Sequence, residues 1–228
     1  MAARIVALVP MRDRSERVPG KNYRLLAGVP LFHHIVRTLH AVPEIAQIVV
    51  DTDSPTIKAG LAEHFPAVSV LDRPEHLRAG EIPMNAILLH DTAQVPADYY
   101  LQTHSTNPLL RPPTVSAAIQ RFLSVVPEHD SLFSVTALHT RLYDQAGAPL
   151  NHNPGELLRT QDLPPVYEEN SSLYLFTRQT LEVLGHRIGS TPLLYPIPAQ
   201  EAWDIDEELD FQIADFLLSA RQIEKGGN

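Results

Sequence analysis

Short runs of apolar residues alternate along this chain with longer stretches whose apolar positions recur every three or four residues. Residues 5–10 (IVALVP) are rich in β-branched side chains, lack polar alternation and stop at a proline, as suits a strand buried on both faces. Residues 31–42 (LFHHIVRTLHAV) carry helical spacing, and 45–50 (IAQIVV) read as a second strand ending at Asp51-Thr52-Asp53-Ser54-Pro55. There Ser54 and Pro55 have the character of an N-cap and first helical residue for a helix over 56–65. Further along, the pattern predicts a strand at 68–71, a helix at 84–93, a strand at 99–102, a helix at 114–126 and a strand at 131–138. Strands at 172–177 (SLYLFT) and 193–197 follow, and Leu209, Ile213, Phe216, Leu217 and Ala220 make one stripe of a final helix.

Such alternation implies right-handed crossovers and a mostly parallel sheet with helices on both faces. The order breaks between about 141 and 167, where Gly147, Pro149, Asn151, Asn153, Pro154, Gly155, Pro164 and Pro165 leave few apolar positions. Loops of this length within compact domains are usually functional or interaction elements.

Composition narrows the class. With 228 residues, 44% of them hydrophobic and 20% charged, the chain fits a single globular domain over 1–228 with a modest appendage. The absence of cysteine excludes disulfides, thiolate metal sites, cysteine nucleophiles and iron–sulfur clusters. The 11 histidines are scattered with no HExxH pair, which argues against a zinc hydrolase. A formal charge of −9 disfavours a nucleic-acid partner. No apolar run approaches the ~20 residues of a membrane span, and the run at 5–9 is too short for a signal-peptide core. A soluble, cytoplasmic protein is expected.

Against that acidic background, one window stands out. Residues 12–24 (RDRSERVPGKNYR) hold Arg12, Arg14, Arg17, Lys21 and Arg24, five of the 18 basic residues, for a local charge of +3. Directly after the first buried strand, the window falls where open α/β sheets bind ligands, and its guanidinium and ammonium groups suit a polyphosphate. A solvated basic loop is the competing reading. Neither GxxxxGK[ST] nor GxGxxG is present, which takes most of the support from a P-loop ATPase and a standard dinucleotide dehydrogenase; no GxSxG elbow supports a serine hydrolase.

A second window, 203–211 (WDIDEELDF), places Asp204 and Asp206 two residues apart, so an extended backbone points both carboxylates the same way, as Mg²⁺ beside substrate phosphates requires. Asp204 with Glu207 also fits a capping box. Asp51 and Asp53 end the second strand as either sugar or base contacts or turn caps. Residues 104–111 (HSTNPLLR) offer hydroxyls and an amide at the same sheet edge, or an ordinary Asn-Pro turn.

Together these segments resemble the cytidylyltransferases that make CMP-activated sugar acids, especially CMP-N-acylneuraminate synthetases. Residues 6–22 (VALVPMRDRSERVPGKN) are similar to that family's opening nucleotide loop, with Pro10, Arg12, Ser15, Lys21 and Asn22 at matching positions. Pro30-Leu31 matches "PL", Thr52-Asp53 matches "STD", Arg73-Pro74 matches "RP", and 106–109 matches "TSPL". Further matches are 159–164 (RTQDLP) to "RRQDLP", 170–174 to "NGAIY", and Asp204, Asp206, Asp210 and Phe211 to "DID…DF". The matches run in order from Val6 to Phe211. The departures are Met11 for alanine, Arg14-Ser15-Glu16 for Gly-Ser-Lys, Ser171 for glycine, and a longer spacing between Gln102 and Pro108.

The resemblance implies a Rossmann-like nucleotidyltransferase fold, α/β with a mostly parallel sheet and a small dimerisation arm at 141–167. It implies transfer of CMP from CTP to an N-acylneuraminate or related sugar acid in a homodimer. Kdo, pseudaminate or legionaminate as acceptor, another NTP, or a non-catalytic nucleotide-binding role are the alternatives. By the same analogy Pro10, Arg12, Ser15, Lys21, Asn22, Asp53 and Thr106 bind the nucleotide. Gln102, His104, Arg159, Gln161 and Asn170 bind the sugar acid, with Arg159 and Gln161 donated from a partner chain. Asp204 and Asp206 hold Mg²⁺, and Arg12, Lys21 and Asp206 act in catalysis, with Arg14 or Arg17 substituting for the lysine replaced by Glu16.

Overall fold

The computed structural model of the chain describes residues 3–15 and 17–226, the side chains of 222–226 excepted. Strand β1 (Ile5–Leu8) is buried along its whole length, as its unbroken apolar run predicts. After it come a two-residue hairpin, β2 (Leu25–Leu26) and β3 (Val29–Pro30), then α1 (Leu31–His40), β4 (Ile45–Thr52), α2 (Pro55–His64), β5 (Ser69–Asp72), α3 (Met84–Gln94) and β6 (Tyr99–Gln102). The second half holds α4 (Pro112–Leu123), β7 (Ser131–Leu138), β8 (Val166–Phe176), α5 (Arg178–Leu184), β9 (Pro192–Pro196) and α6 (Glu208–Gly226).

Seven strands form one sheet in the order β5-β4-β1-β6-β8-β7-β9. Every neighbouring pair is parallel except those made by β8, which runs against both β6 and β7. Alternate residues of β1 supply the two faces. Ile5, Ala7 and Val9 pack with Phe32, Ile35, Leu39, Ile57, Leu61, Ile119 and Phe122 of α1, α2 and α4. Val6 and Leu8 pack with Leu88 of α3, Leu181 of α5, Tyr100, Tyr174 and Phe176. Each such side chain withdrawn from water contributes roughly 1.5–3 kcal/mol, so the sheet is held from both sides. Ser54 accepts from the Ile57 N–H at 3.4 Å ahead of Pro55, forming the expected cap. Among the described residues no helix is long and apolar enough to cross a membrane.

Two features depart from the hydropathy reading, and the irregular stretch falls where that reading expects it. Strand β8 begins at Val166 instead of 172, because Tyr167, Glu168 and Glu169 pair with β7 while facing solvent and so leave no apolar run. The short α5 and the β2–β3 hairpin are too brief for a periodic signal. The segment at 141–165 is irregular and largely exposed, with a bridge between Tyr143 and Pro149 and a single 3₁₀ turn, Thr160–Asp162.

A third cluster ties the chain's two ends together: Leu26 and Leu31 pack against Ile205, Phe211 and Ala214. Arg24 reinforces it, with paired bonds to Glu208 of 2.6 and 2.9 Å and its guanidinium 4.1 Å from the Phe211 ring centroid.

Ser171 marks a break in β8. It has φ +56°, a left-handed conformation unusual for a residue with a Cβ, where the β7–β8 register shifts. The resemblance has glycine here, which adopts this geometry freely. We expect Ser171→Val to lose at least about 1 kcal/mol of stability in chemical denaturation while Ser171→Gly loses none, because a β-branched side chain tolerates φ > 0 least. A valine variant as stable as the parent would show that the bulge carries no such strain.

Candidate active site

Strand order reverses around β1: the chain passes to β4 and β5 on one side, then returns to β6 on the other. Loops leaving the carboxyl ends of these strands diverge and open a crevice. A cleft of about 590 Å³ lies there, formed by the loop after β1, residues following β5 and β6, and the segment before α6.

The basic window is pinned from both flanks. Beyond β1 the ladder continues as the Val9 and Met11 N–H groups donate to the carbonyls of Val49 and Asp51 at 2.9 and 2.8 Å. The Asp13 N–H then donates to Asp53 at 2.8 Å, and Ser54 Oγ donates to Asp13 at 2.5 Å. On the far side Asn22 Nδ2 donates to the Arg12 carbonyl at 3.0 Å, and Asn22 Oδ1 accepts from the Ser105 hydroxyl at 2.6 Å. Gly20, at φ +66°, turns the chain into a 3₁₀ turn, Lys21–Tyr23; a Cβ there would sit 2.7 Å from the Tyr23 ring. Pro10, Arg12, Ser15, Arg17, Lys21 and Asn22 all line the cleft as a result. Of the other two cations in the window, Arg14 is exposed outside the lining and Arg24 anchors α6. Glu16 lies outside the described residues.

The acids arrive by alternation. Ile205 is fully buried, its N–H donating to the Thr106 carbonyl at 2.9 Å and its carbonyl accepting from Lys21 Nζ at 2.5 Å. With Ile205 turned inward, Asp204 and Asp206 both border the cleft. The capping function assigned to Asp204 and Glu207 belongs instead to Asp210, whose carboxylate accepts from the N–H groups of Asp206 and Glu207 at 3.0 and 2.8 Å.

Five cationic side chains line the cleft: Arg12, Arg17, Lys21, Arg73 and Arg187. Two carboxylates face them, a local balance of +3 within a chain of −9. Burial lowers the Lys21 pKa, against the pull of Asp204 and Asp206. Burial raises that of Asp204, opposed by a hydrogen bond from Thr106, and Asp204 Oδ1 is buried without a hydrogen-bond partner. Asp206 is engaged by Arg17 at 2.6 Å. A desolvated carboxylate with an unmatched oxygen, next to a second carboxylate, is a donor set that suits a hard divalent cation. His104 also borders the cleft; burial, then the charges of Arg187 and Lys21, lower its pKa to about 3, so the ring is neutral.

Several expected positions lie elsewhere. Asp53 is absent from the lining and fixes the basic loop through Asp13. Gln102 is fully buried beside the cleft, accepting from Arg187 at 2.7 Å. Asn170 borders an adjoining cavity of about 520 Å³ that shares Ser171, Asp204 and Asp206 with the cleft, and it receives the Ser134 hydroxyl at 2.6 Å. Arg159 and Gln161 are exposed on the 141–165 segment, outside this lining, with Arg159 bound to Asp162 at 2.6 Å.

Two charged cleft residues escaped sequence reasoning as site residues. Arg187 stands alone in a turn-rich stretch that gives no pattern. Arg73 was legible only as part of the "RP" match; it is buried in an ion pair with Asp51 and reaches the cleft wall.

A sheet of this order with a cationic cleft at its point of reversal is a Rossmann-like nucleotidyltransferase fold, and solved structures share it. A CMP:2-keto-3-deoxy-manno-octonic acid synthetase complexed with CTP superposes with a TM-score of 0.70 at 16% identity, covering 96% of this chain and all of the other. The cytidylyltransferase family model matches residues 6–223, and the chain belongs to that family. It is 28% identical over 236 positions to the CMP-N,N'-diacetyllegionaminic acid synthase of Legionella pneumophila, covering 96% of this chain and 98% of that one. It is 27% identical over 218 positions to the N-acylneuraminate cytidylyltransferase A of Danio rerio, covering 92% of this chain; the chain thus spans half the length of that fish relative.

Behind Arg73, Asp91 of α3 is fully buried beside Asp51. Burial, then the charge of Asp51, push its pKa up to about 8, with Arg73 opposing. The folded chain therefore holds a proton there that the unfolded chain has released above about pH 4, so stability falls as pH rises from about 4 to 8. We expect Asp91→Asn to match the parent near pH 4 and to melt at least about 2 °C higher at pH 8, the shift that roughly 1 kcal/mol produces in a domain of this size. Parallel melting curves across that range would place Asp91 in its ordinary ionised state.

Proposed function

We propose that the chain transfers CMP from CTP to the anomeric hydroxyl of a 2-keto-3-deoxy sugar acid of the nonulosonate type, releasing pyrophosphate. The observation that carries this reading is the meeting, in one cleft, of Arg12, Arg17 and Lys21 from near the amino terminus with Asp204 and Asp206 from near the carboxyl terminus. Membership of the cytidylyltransferase family supports the donor, and the acceptors named for the Legionella and zebrafish relatives support the acid.

In this mechanism the hydroxyl oxygen attacks the α-phosphorus in line, the α–β phosphoanhydride bond breaks, and the hydroxyl proton is released. No covalent intermediate on the protein is required, so positioning and charge neutralisation supply the acceleration. Arg12 and Lys21 hold the triphosphate and offset the negative charge that develops on departing pyrophosphate. Pro10, Ser15, Asn22 and Thr106 shape the nucleotide side. His104 presents a neutral ring to the acceptor, with Gln102 behind it and Asn170 in the adjoining cavity. Asp204 and Asp206 would hold Mg²⁺, whose contribution when bound is to polarise phosphate and lower the pKa of the attacking hydroxyl. Arg17 must then exchange Asp206 for a phosphate oxygen, a trade that keeps its guanidinium paired with an anion.

The 141–167 segment, irregular as far as 165, is read as a dimerisation arm. Leu150 and Tyr143 are well exposed, and Leu157 is 92% exposed, an apolar display that association would cover. Sedimentation of the purified protein is expected to give a dimer, and Leu157→Asp to shift it toward monomer. A fully active monomeric parent would remove the arm from the mechanism.

Pyrophosphate release across the four NTPs and a panel of N-acetylneuraminate, N,N'-diacetyllegionaminate, pseudaminate and Kdo tests the reaction directly. Lys21→Ala and Asp206→Ala are each expected to lower kcat by at least about 10²-fold with melting behaviour near the parent. Parental turnover in either folded variant would reject the role given to that residue.

A further inference from the structure

The acceptor just proposed carries a carboxylate, and the cleft holds one group built to receive it. Arg187 follows α5 and lines the cleft beside His104 and Ser171. Its guanidinium lies over the Tyr174 ring, 3.6 Å from the centroid, and one Nη donates to Gln102 Oε1 at 2.7 Å. Both supports are themselves held. Tyr174 is fully buried, its hydroxyl donating to Glu169 and lying 3.2 Å from the Ser171 hydroxyl; Gln102 is fully buried and bonded to the Thr103 carbonyl at 3.0 Å. The Arg187 Nε–H, by contrast, is buried and has no hydrogen-bond partner.

A buried donor left without an acceptor is costly, and at the wall of a cleft a bound ligand can complete its bonding. The missing partner must be an acceptor, and an anionic one is favoured because it also neutralises a partly desolvated guanidinium. A carboxylate meets the planar N–H fork with matching geometry. Arg187 is stacked and bonded in advance, so little side-chain freedom is lost when the anion docks.

We propose that Arg187 recognises the carboxylate of the acceptor sugar acid. This inference rests on the cytidylyl-transfer reading above and relocates a contact. The resemblance assigns the carboxylate to Arg159 and Gln161 of a partner chain, which lie outside the cleft lining of their own chain, whereas Arg187 lines it. Arg187 needs no second chain.

The test compares an acid with its own C1 carboxamide, using whichever acid of the panel the parent turns over, at saturating CTP. The parent is expected to favour the acid in kcat/KM by at least about tenfold, in line with a hydrogen bond to a charged group. Arg187→Gln is expected to bring that ratio close to one by raising KM for the acid, with KM for CTP within about twofold of the parent. Arg187→Lys, which keeps the charge but loses the fork, is expected to fall between them and decides the matter if the glutamine variant does not fold. Arg159→Gln is expected to keep the parental ratio. Undiminished discrimination in the Arg187 variants, or its loss in Arg159→Gln, overturns the proposal while leaving cytidylyl transfer intact. A parent that releases no pyrophosphate with any acid overturns both.

Discussion

Holding several like charges together in a partly dry cleft is the constraint around which this molecule is arranged. An isolated ammonium or guanidinium taken from water is strongly disfavoured, so each cation near the cleft needs a counter-charge or a dipole within reach. The pairings differ in kind. Arg73 is locked to Asp51 in the interior, Arg24 is committed to Glu208 at the base of α6, and Arg17 only rests against Asp206 at a half-exposed site. Lys21 leans on a backbone carbonyl, with Asp204 and Asp206 acting on it across space. The buried Arg73 pair builds the wall, Arg24 fastens α6 through a part-exposed pair, and the exposed Arg17 pair is the one that borders the open cleft. Burial and place, more than residue type, divide the arginines.

That division also explains what the sequence could and could not disclose. The strands β1 and β4 were legible because burial on both faces demands an uninterrupted apolar run, and the N-cap at Ser54 was legible because its chemistry is local. The outer half of β8 was hidden, since Tyr167, Glu168 and Glu169 are exposed and a paired, solvated strand needs no apolar code. The Asp204–Asp206 spacing indicated the right convergence, while the capping acid proved to be Asp210 four residues on from Asp206. Arg187 had no local signature at all, because its setting is assembled from Gln102 and Tyr174, which are distant in sequence. Asp53 shows the converse case: a position matched to a family motif whose carboxylate here serves the backbone of the neighbouring loop.

The cleft also distributes its rigidity unevenly. Its base rests on β1 and β6, where alternate side chains enter two separate cores, and its cationic loop is fastened through Asp53, Ser54 and Ser105. Its acidic lip depends on Ile205 being drawn into the small cluster with Leu26, Leu31 and Phe211. Placement of the carboxylates is thus a packing outcome as much as an electrostatic one.

The link between Lys21 and the Ile205 carbonyl joins positions 184 residues apart. Synthesis proceeds from the amino terminus, so a nascent chain displays its basic loop long before the opposing acids leave the ribosome. Through that interval the basic loop lacks both the carbonyl that Lys21 bonds and the carboxylates that face it. Closing the cleft therefore waits on a contact between residues far apart in sequence, whose loop-closure entropy must be met before the contact returns any stabilisation.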